Sequence, residues 1–172
     1  MDICGYGPGP IAAEAAFTSD FALPGDLRVR QIADLVEADR PAMDARPGMR
    51  HKYLPWRFDP VAGAPQVGGR YLFDTWSNAL GYEWFTAEDL EFEPGVKFWD
   101  RPFFHGVARH VWHVIGAHDF TALASTHHVN RFERWAYQAR DEEVALRRAW
   151  PLIREAAEEA GLSSAWLMVR PV

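Results

Sequence analysis

The chain is poor in cysteine, in lysine and in long apolar runs. Cys4 is the only cysteine among 172 residues, which excludes an internal disulfide and any zinc site that needs several thiolates. No apolar run approaches the roughly 20 residues of a membrane-spanning helix, and the N-terminus lacks a positive region followed by a hydrophobic stretch. We therefore expect no signal peptide, no membrane contact and, by default, a cytoplasmic protein.

Positive charge is also scarce, because 18 basic residues face 24 acidic ones and the formal net charge is −6. A nucleic-acid partner would need a basic face, and the basic clusters in this sequence are only local. What the chain has instead is a hydrophobic content of 48%, with eight tryptophans. That composition predicts a globular domain with a proper core, with or without an appendage.

Turn residues and periodicity divide the chain into three parts: a flexible arm over 1–13, a β-α-β-β-α-β domain over 14–118 and a β-α-β extension over 119–172. Glycine and proline over 60–69 predict a loop, and the aromatic, proline-interrupted segment 86–106 has no clear pattern. The elements predicted in the domain are strands at 16–23, 49–54, 71–73 and 106–115, a helix from Asp26 to about residue 45, and a helix over 77–85 capped by Ser77.

The extension begins with a linker and a predicted strand over 129–137. A helix follows, starting near Asp141 and stopping before Gly161, with Pro151 expected to kink it or split it in two. A last strand is predicted over 165–169, packed on the same domain. The pattern leaves open whether the extension adds strands to the sheet, covers a pocket or strengthens a dimer.

A series of short motifs carries a resemblance. Pro47-Gly48 precedes a strand with Lys52, the run Gly-Gly-Arg-Tyr-Leu-Phe occupies 68–73, and Ser-x-Ala-Leu-x-Tyr occupies 77–82. Over about residues 15–118 this order resembles the YdhR-like monooxygenases of the dimeric α+β-barrel superfamily. The resemblance implies an α+β fold of the ferredoxin-like kind: an antiparallel sheet with helices on one face, and a homodimer whose barrel lies on the other face.

Asp20 and Lys52 are the first candidates for catalysis. Strand alternation puts Asp20 opposite Phe17 and Phe21, on the sheet face that lines the barrel in this superfamily. A carboxylate there either pairs with a cation such as Lys52 or has a raised pKa. Lys52 is one of two lysines beside sixteen arginines, and a desolvated lysine can exchange a proton where arginine cannot. A structural salt bridge and an exposed edge lysine are the alternative interpretations.

His110 and Tyr71 complete the predicted catalytic set, as a base and as a phenolic donor. His110 and His113 are three residues apart, and on a strand they point to opposite faces, so we predict no metal site. Either could instead be an axial haem ligand, as in some superfamily members, or a core or interface residue. Eight ring side chains are predicted to hold a flat substrate, although aromatic residues are also good strand formers. They are His51, Tyr53, Trp56, Trp76, Trp99, Phe103, Trp112 and His113.

These observations favour a small-molecule enzyme acting on an aromatic, phenolic or polyketide-like substrate without a cofactor. A pocket base would deprotonate a phenol or enol, and the resulting anion would react with oxygen, as the resemblance implies for a monooxygenase. The same anion could instead expel a fragment or rearrange, which would make the protein a lyase, isomerase or cyclase. A non-catalytic ligand-binding or haem-binding protein is the third hypothesis.

Overall fold

We describe the fold from a computed structural model that covers residues 7–44, 46–122, 131–134 and 142–170. Over these residues the chain is an α+β protein with three helices and a curled antiparallel sheet, which forms half a barrel. The strands of the sheet are β1 Gly9–Pro10, β2 Ala15–Ala22, β3 Met49–Tyr53, β4 Trp56–Phe58, β5 Pro65–Phe73, β8 His105–Asp119 and β9 Ser164–Val169, and β6 Glu91–Glu93 with β7 Val96–Lys97 forms a separate hairpin. The helices are α1 Val29–Met43, α2 Trp76–Trp84 and α3 Glu142–Glu159.

The four central strands run in the order β8-β2-β5-β3, and every pairing is antiparallel. β1 and β9 pair with β8, and β4 pairs with β5. The described part of the N-terminal arm therefore adds the short strand β1 beside the end of β8. The described part of the C-terminal extension adds β9 to the same sheet. The strand predicted over 129–137 falls mostly outside the described residues, and residues 131–134 form no strand.

One face of the sheet carries α1 and α2, and we call it the helix face. Phe17 and Tyr71 pack there against Tyr82 of α2, and Phe21 packs with Ile32 of α1. The opposite face is concave, and Thr18 and Asp20 lie on it. The predicted alternation along the first strand, with Phe17 and Phe21 on one side and Thr18 and Asp20 on the other, is therefore confirmed.

The predicted loop over 60–69 is wrong in its second half, because β5 already begins at Pro65. Gly68 and Gly69, which suggested a loop, lie inside the strand, where the absence of a side chain allows neighbouring atoms to approach closely. A Cβ on Gly69 would lie 2.2 Å from the ring of Tyr71, and a Cβ on Gly68 would lie 2.4 Å from the carbonyl oxygen of Ser19. Glycine within a strand marks a close approach of this kind as often as it marks a turn.

Both predicted helix caps are displaced. Asp26 lies in a turn closed by the N–H of Leu27 and the carbonyl of Pro24, and α1 begins after Arg28, whose N–H donates to Gln31 Oε1 at 2.9 Å. At α2, Thr75 rather than Ser77 is the cap, and its hydroxyl accepts a hydrogen bond from the Asn78 N–H.

Two further segments differ from their predictions. Residues 85–106 are more regular than their sequence indicated, with a π-helical turn at Phe85–Asp89, the β6–β7 hairpin and a 3₁₀ turn at Phe98–Asp100. In the extension, Pro151 lies inside α3 and does not divide it into two helices. α3 packs on β8 and β9, where the ring of Trp150 fills the space beside Gly116.

The sheet curls until its two edges meet. β9 and β3 lie four strand positions apart, a separation of roughly 19 Å in a flat sheet. The ring of Trp166 on β9 is nevertheless 5.2 Å from the ring of Tyr53 on β3, measured between centroids. This contact closes one end of the concave face and leaves the other end open.

No helix among the described residues is long and apolar enough to cross a membrane.

Candidate functional site

The open end of the concave face holds a cleft of about 260 Å³. Strand β2 supplies Asp20, and β5 supplies Arg70 two residues after Gly68. The other lining residues come from the first half of β5, from the edge strand β4 with the residue before it, and from residues 131–134. The complete lining is Asp20, Pro55, Trp56, Arg57, Gln66, Val67, Gly68, Arg70, Phe132 and Arg134.

A second cavity lies under the helices, between α1, α2 and the sheet. Its volume is about 30 Å³, which is room for a single water molecule and not for a substrate. Phe17, Tyr71, Tyr82 and Trp99 contribute to its walls. The indole Nε1 of Trp99 is buried and has no hydrogen-bond partner among the described residues. The concave cleft is therefore the better candidate for a functional site.

Arg70 organises the floor of the cleft. Its guanidinium is buried and donates from Nη1 to the carbonyl oxygens of Ser19 at 2.7 Å and Gly69 at 2.9 Å. Nη2 donates to Asp20 Oδ1 at 2.6 Å, and the ring of Phe132 covers the guanidinium face at 4.5 Å. These contacts bond both terminal nitrogens of Arg70 within the protein, whereas its Nε is buried without a partner among the described residues.

Asp20 lies between two arginines. Its second oxygen, Oδ2, accepts a hydrogen bond from Arg134 Nη2 at 2.8 Å, and its side chain is 36% exposed. The cation predicted beside Asp20 is thus present, but it is arginine and not lysine. Asp20 lies one residue before the point where the pairing of β2 with β8 shifts register, at the rim of the sheet.

Lys52 lies on the opposite face from Asp20. It pairs in register with Tyr71, whose ring packs under the helices, so the two side chains share the helix face. The Lys52 ammonium donates to Asp44 and to the Arg40 carbonyl, and burial lowers its pKa, partly offset by Asp44. The expected pair with Asp20 is therefore wrong, because the Lys52 side chain lies on the helix face and Asp20 lies on the concave face.

Tyr71 is also remote from the cleft. Its side chain is buried between Phe17 and Tyr82, and burial raises its pKa to about 12. The pKa of Tyr82 is likewise raised by burial, and its hydroxyl donates to the sulfur of Met43. A phenol in this position stays protonated at neutral pH and has no path to a ligand in the concave cleft.

His110 lies on the concave face beside the cleft. It pairs in register with Thr18, and its ring meets the ring of Trp112 edge to face. Burial lowers its pKa, and the positive charges of Arg170 and Arg134 lower it further, whereas Asp20 opposes them. The lowered pKa favours the neutral imidazole at pH 7, which is the form that can accept a proton.

The eight ring residues predicted to bind substrate are divided between the two faces. Trp56 lines the cleft, and Trp112 borders it, with its indole N–H donating to Thr18 Oγ1 at 2.8 Å. Trp76, Trp99, Phe103 and His113 lie on the helix side, where Trp76 stacks on His113 at 4.1 Å and Trp99 and Phe103 pack with Phe104. His51 and Tyr53 lie on the concave face but at its closed end, against Trp166.

The closed end contains a polar pair that the sequence did not indicate. His51 Nε2 lies 2.5 Å from Asp119 Oδ2, and both side chains are buried. The pair joins β3 to the far end of β8 across the concave face, beside the Trp166 contact. Asp119 Oδ1 has no hydrogen-bond partner among the residues that the structure describes. The position of this pair indicates a role in holding the curl of the sheet.

The separation of His110 from His113 agrees with the prediction from strand alternation. His113 contacts Trp76 on the helix side, and His110 contacts Trp112 on the concave side. Within the described ranges, no three His, Cys, Asp or Glu side chains are placed to hold one metal ion.

Sequence reasoning missed Arg57, Arg70, Phe132, Arg134 and Asp119. A signal existed for Arg70, because the two glycines before it leave space that a long side chain can use. Phe132 and Arg134 fall within the strand predicted over 129–137, but residues 131–134 form no strand, so strand alternation could not place their side chains. No family model matches this chain, and neither does any curated protein or solved structure.

Proposed function

We propose that the protein is a small-molecule enzyme that binds an aromatic or polyketide-like substrate in the concave cleft. The observation that carries this proposal is the cleft itself, about 260 Å³, with aromatic walls and charged groups converging on one space. Concave pockets that combine apolar walls with a few fixed polar groups are the usual form of small-molecule sites.

His110 is the general base in this proposal. Among the four residues predicted as catalytic, Asp20 and His110 lie on the concave face, and Asp20 is held by two arginines. The lowered pKa of His110 leaves its imidazole neutral and able to take a proton from a phenol or enol. General-base catalysis of this kind contributes roughly 10²–10⁴-fold to a rate. The electron-rich anion would then react with oxygen, in a cofactor-independent, monooxygenase-like reaction.

The proposal extends to the assembly. The strand order β8-β2-β5-β3, with α1 after the first strand of this set and α2 after the third, is the order expected for a ferredoxin-like unit. We propose that two copies place their concave faces together as a dimeric α+β barrel. In this chain β9 already covers the closed end, so the partner would cover the open end and the cleft. Light scattering during gel filtration measures the mass, with one copy at 19.6 kDa.

The catalytic test is turnover of a panel of phenolic and polyketide-like aromatics, followed by oxygen uptake and mass spectrometry. We expect His110→Gln to lower kcat/KM by about 10²-fold or more. His105→Gln is the matched control, since His105 is an exposed histidine on the same strand, and it should keep full activity. Turnover that survives His110→Gln would contradict the assignment of the base.

The pH profile gives a second readout. Because its folded pKa is below the ordinary 6.5, His110 should remain an active base at pH 6.5. kcat/KM should fall only as the pH drops through the lowered pKa, and His110→Gln should remove that acidic limb. A limb centred at or above pH 6.5, or one that persists in the variant, would argue against His110.

Two alternatives give different outcomes in the same experiment. A lyase, isomerase or cyclase would convert the substrate without consuming oxygen. A non-catalytic binding protein would return the ligand unchanged. The positions of Lys52 and Tyr71 favour a non-catalytic binding protein, because these two residues were predicted to transfer protons and both face away from the cleft.

A further inference from the structure

The charge of the cleft points to the kind of substrate that it accepts, if the proposed function is correct. Three arginines and one aspartate line the cleft, an excess of two positive charges in a chain whose net charge is −6. An excess of this sign, concentrated in one concavity, attracts anions and raises their local concentration.

The three arginines are not equally available. Arg70 is buried, and its two terminal nitrogens donate to Ser19, Gly69 and Asp20. Arg57 donates from Nε to Gln66 at 2.9 Å, and this is its only hydrogen bond to the described residues. The two terminal nitrogens of its guanidinium therefore make no hydrogen bond within the part of the chain that the structure describes, and Arg57 lines the cleft.

Arg134 is partly available. Its Nη2 donates to Asp20, and its side chain is 43% exposed. The carboxylate of Asp20 bridges Arg70 and Arg134 and accepts one hydrogen bond from each. It uses these two donors as a ligand carboxylate would. Arg57 and Arg134 line the same cleft, and a guanidinium matches a carboxylate in geometry.

Size and wall chemistry restrict the rest of the ligand. A cavity of roughly 150 Å³ accepts a benzene ring, and drug-sized ligands need roughly 300–1,000 Å³. At about 260 Å³ the cleft has room for one ring with small polar substituents. Trp56 and Phe132 are the aromatic residues of its lining and come from two separate segments, and the ring of Phe132 also lies under the guanidinium groups of Arg70 and Arg134.

We infer that the substrate is a single-ring aromatic carboxylate, with its carboxylate on Arg57 and Arg134 and its ring against Trp56 and Phe132. This inference rests on the proposed function, because the bound carboxylate is a substrate only if the protein is an enzyme. It also assigns Asp20 a role other than catalysis, as an internal anion that occupies Arg134 until a ligand competes for it.

The test is calorimetric titration with 4-hydroxybenzoate and with 4-hydroxybenzamide, which has the same ring and hydroxyl but no charge. The acid should bind at least about tenfold more tightly than the amide. Arg57→Gln and Arg134→Gln should each weaken binding of the acid about tenfold and leave that of the amide nearly unchanged. Both arginines are exposed, so the variants should fold.

Two more variants sharpen the result. Asp20→Asn should tighten binding of the acid, since it removes the competing charge from Arg134. Arg147→Gln, on α3 and paired with Glu143, is the matched control and should leave both titrations unchanged. Equal affinity for acid and amide, failure of the acid to bind at millimolar concentration, or an acid titration unaffected by both arginine variants would overturn the inference.

The inference and the proposed function fail separately. If the acid binds through Arg57 and Arg134 but no compound is converted, the anion site stands and catalysis is wrong. If a neutral phenol is turned over in a His110-dependent reaction without any preference for the acid, catalysis stands and the inference is wrong.

Discussion

The two faces of the sheet differ in what their charged groups do. On the helix face, Lys52 is buried and bonded to Asp44, and Arg101 is bonded through both terminal nitrogens to Asp39. Both cations are paired with carboxylates, although the Nε of Arg101 has no hydrogen-bond partner among the described residues. On the concave face, Arg57 and Arg134 keep donors that the described residues do not occupy.

Burial alone therefore does not identify the functional face. The helix face holds the most strongly shifted side chains, Tyr71 and Tyr82, and burial is the first cause of both shifts. Its cavity is only about 30 Å³. The concave face has milder shifts but a space that a ligand can enter, and space is the condition that a binding site must meet first.

The largest effect that separates the two faces should come from Phe17→Ala. Phe17 is fully buried between the rings of Tyr71 and Tyr82, and its truncation should lower the free energy of unfolding by about 3–5 kcal/mol. Trp56→Ala, which removes a 40% exposed ring from the lining of the cleft, should cost about 0.5 kcal/mol or less. Urea denaturation followed by circular dichroism measures both. Equal losses would contradict the contrast between a packed face and an open one.

A smaller loss is expected at the closed end of the concave face. Asp119→Ala removes the partner of His51 Nε2 and should lower the free energy of unfolding by about 1–3 kcal/mol. The emission of Trp166, which contacts His51, should shift as well. Glu143→Ala, which breaks an exposed pair on α3, is the control and should cost roughly 0.3–0.5 kcal/mol. If the two losses match, the pair does not hold the curl.

The third prediction concerns Gly69, one of the two glycines inside β5, and the Tyr71 ring beside it. Gly69→Ala would bring a Cβ to 2.2 Å from the Tyr71 ring, which Phe17 and Tyr82 hold in place, and should cost about 1–3 kcal/mol. Gly81→Ala is the matched control on α2, where nothing lies within 4 Å, and should stabilise by about 0.5–1 kcal/mol. Thermal unfolding distinguishes the signs, and a neutral Gly69→Ala would show that the Tyr71 ring can move.

Local patterns predicted much of the fold. Alternation in β2 separated Phe17 from Asp20 correctly, and it separated His110 from His113. The helix stop at Gly161 and the last strand were also predicted, because each depends on residues near in sequence. The start of β5 was missed, since the glycines there respond to Ser19 and Tyr71, which belong to the sheet and not to a turn.

The candidate site was predicted only in part, for a reason that Lys52 illustrates. Its strand was predicted correctly, but its face depended on the register between β3 and β5, where it pairs with Tyr71. A shift of one residue exchanges the two faces of a strand. Register is set by pairing between distant segments, so no property of residues 49–54 alone could place Lys52 under the helices.

By itself the sequence determined the three helices and the approximate positions of β2, β3 and β9, the alternation of β2 and the exclusion of disulfides, because these depend on neighbours along the chain. The tertiary structure decided which charges meet. The curl of the sheet brings Trp166 to Tyr53 and Asp119 to His51, and it leaves the opposite end open. At that open end Arg134 reaches Asp20 across 114 positions of sequence, a contact that only the folded chain produces.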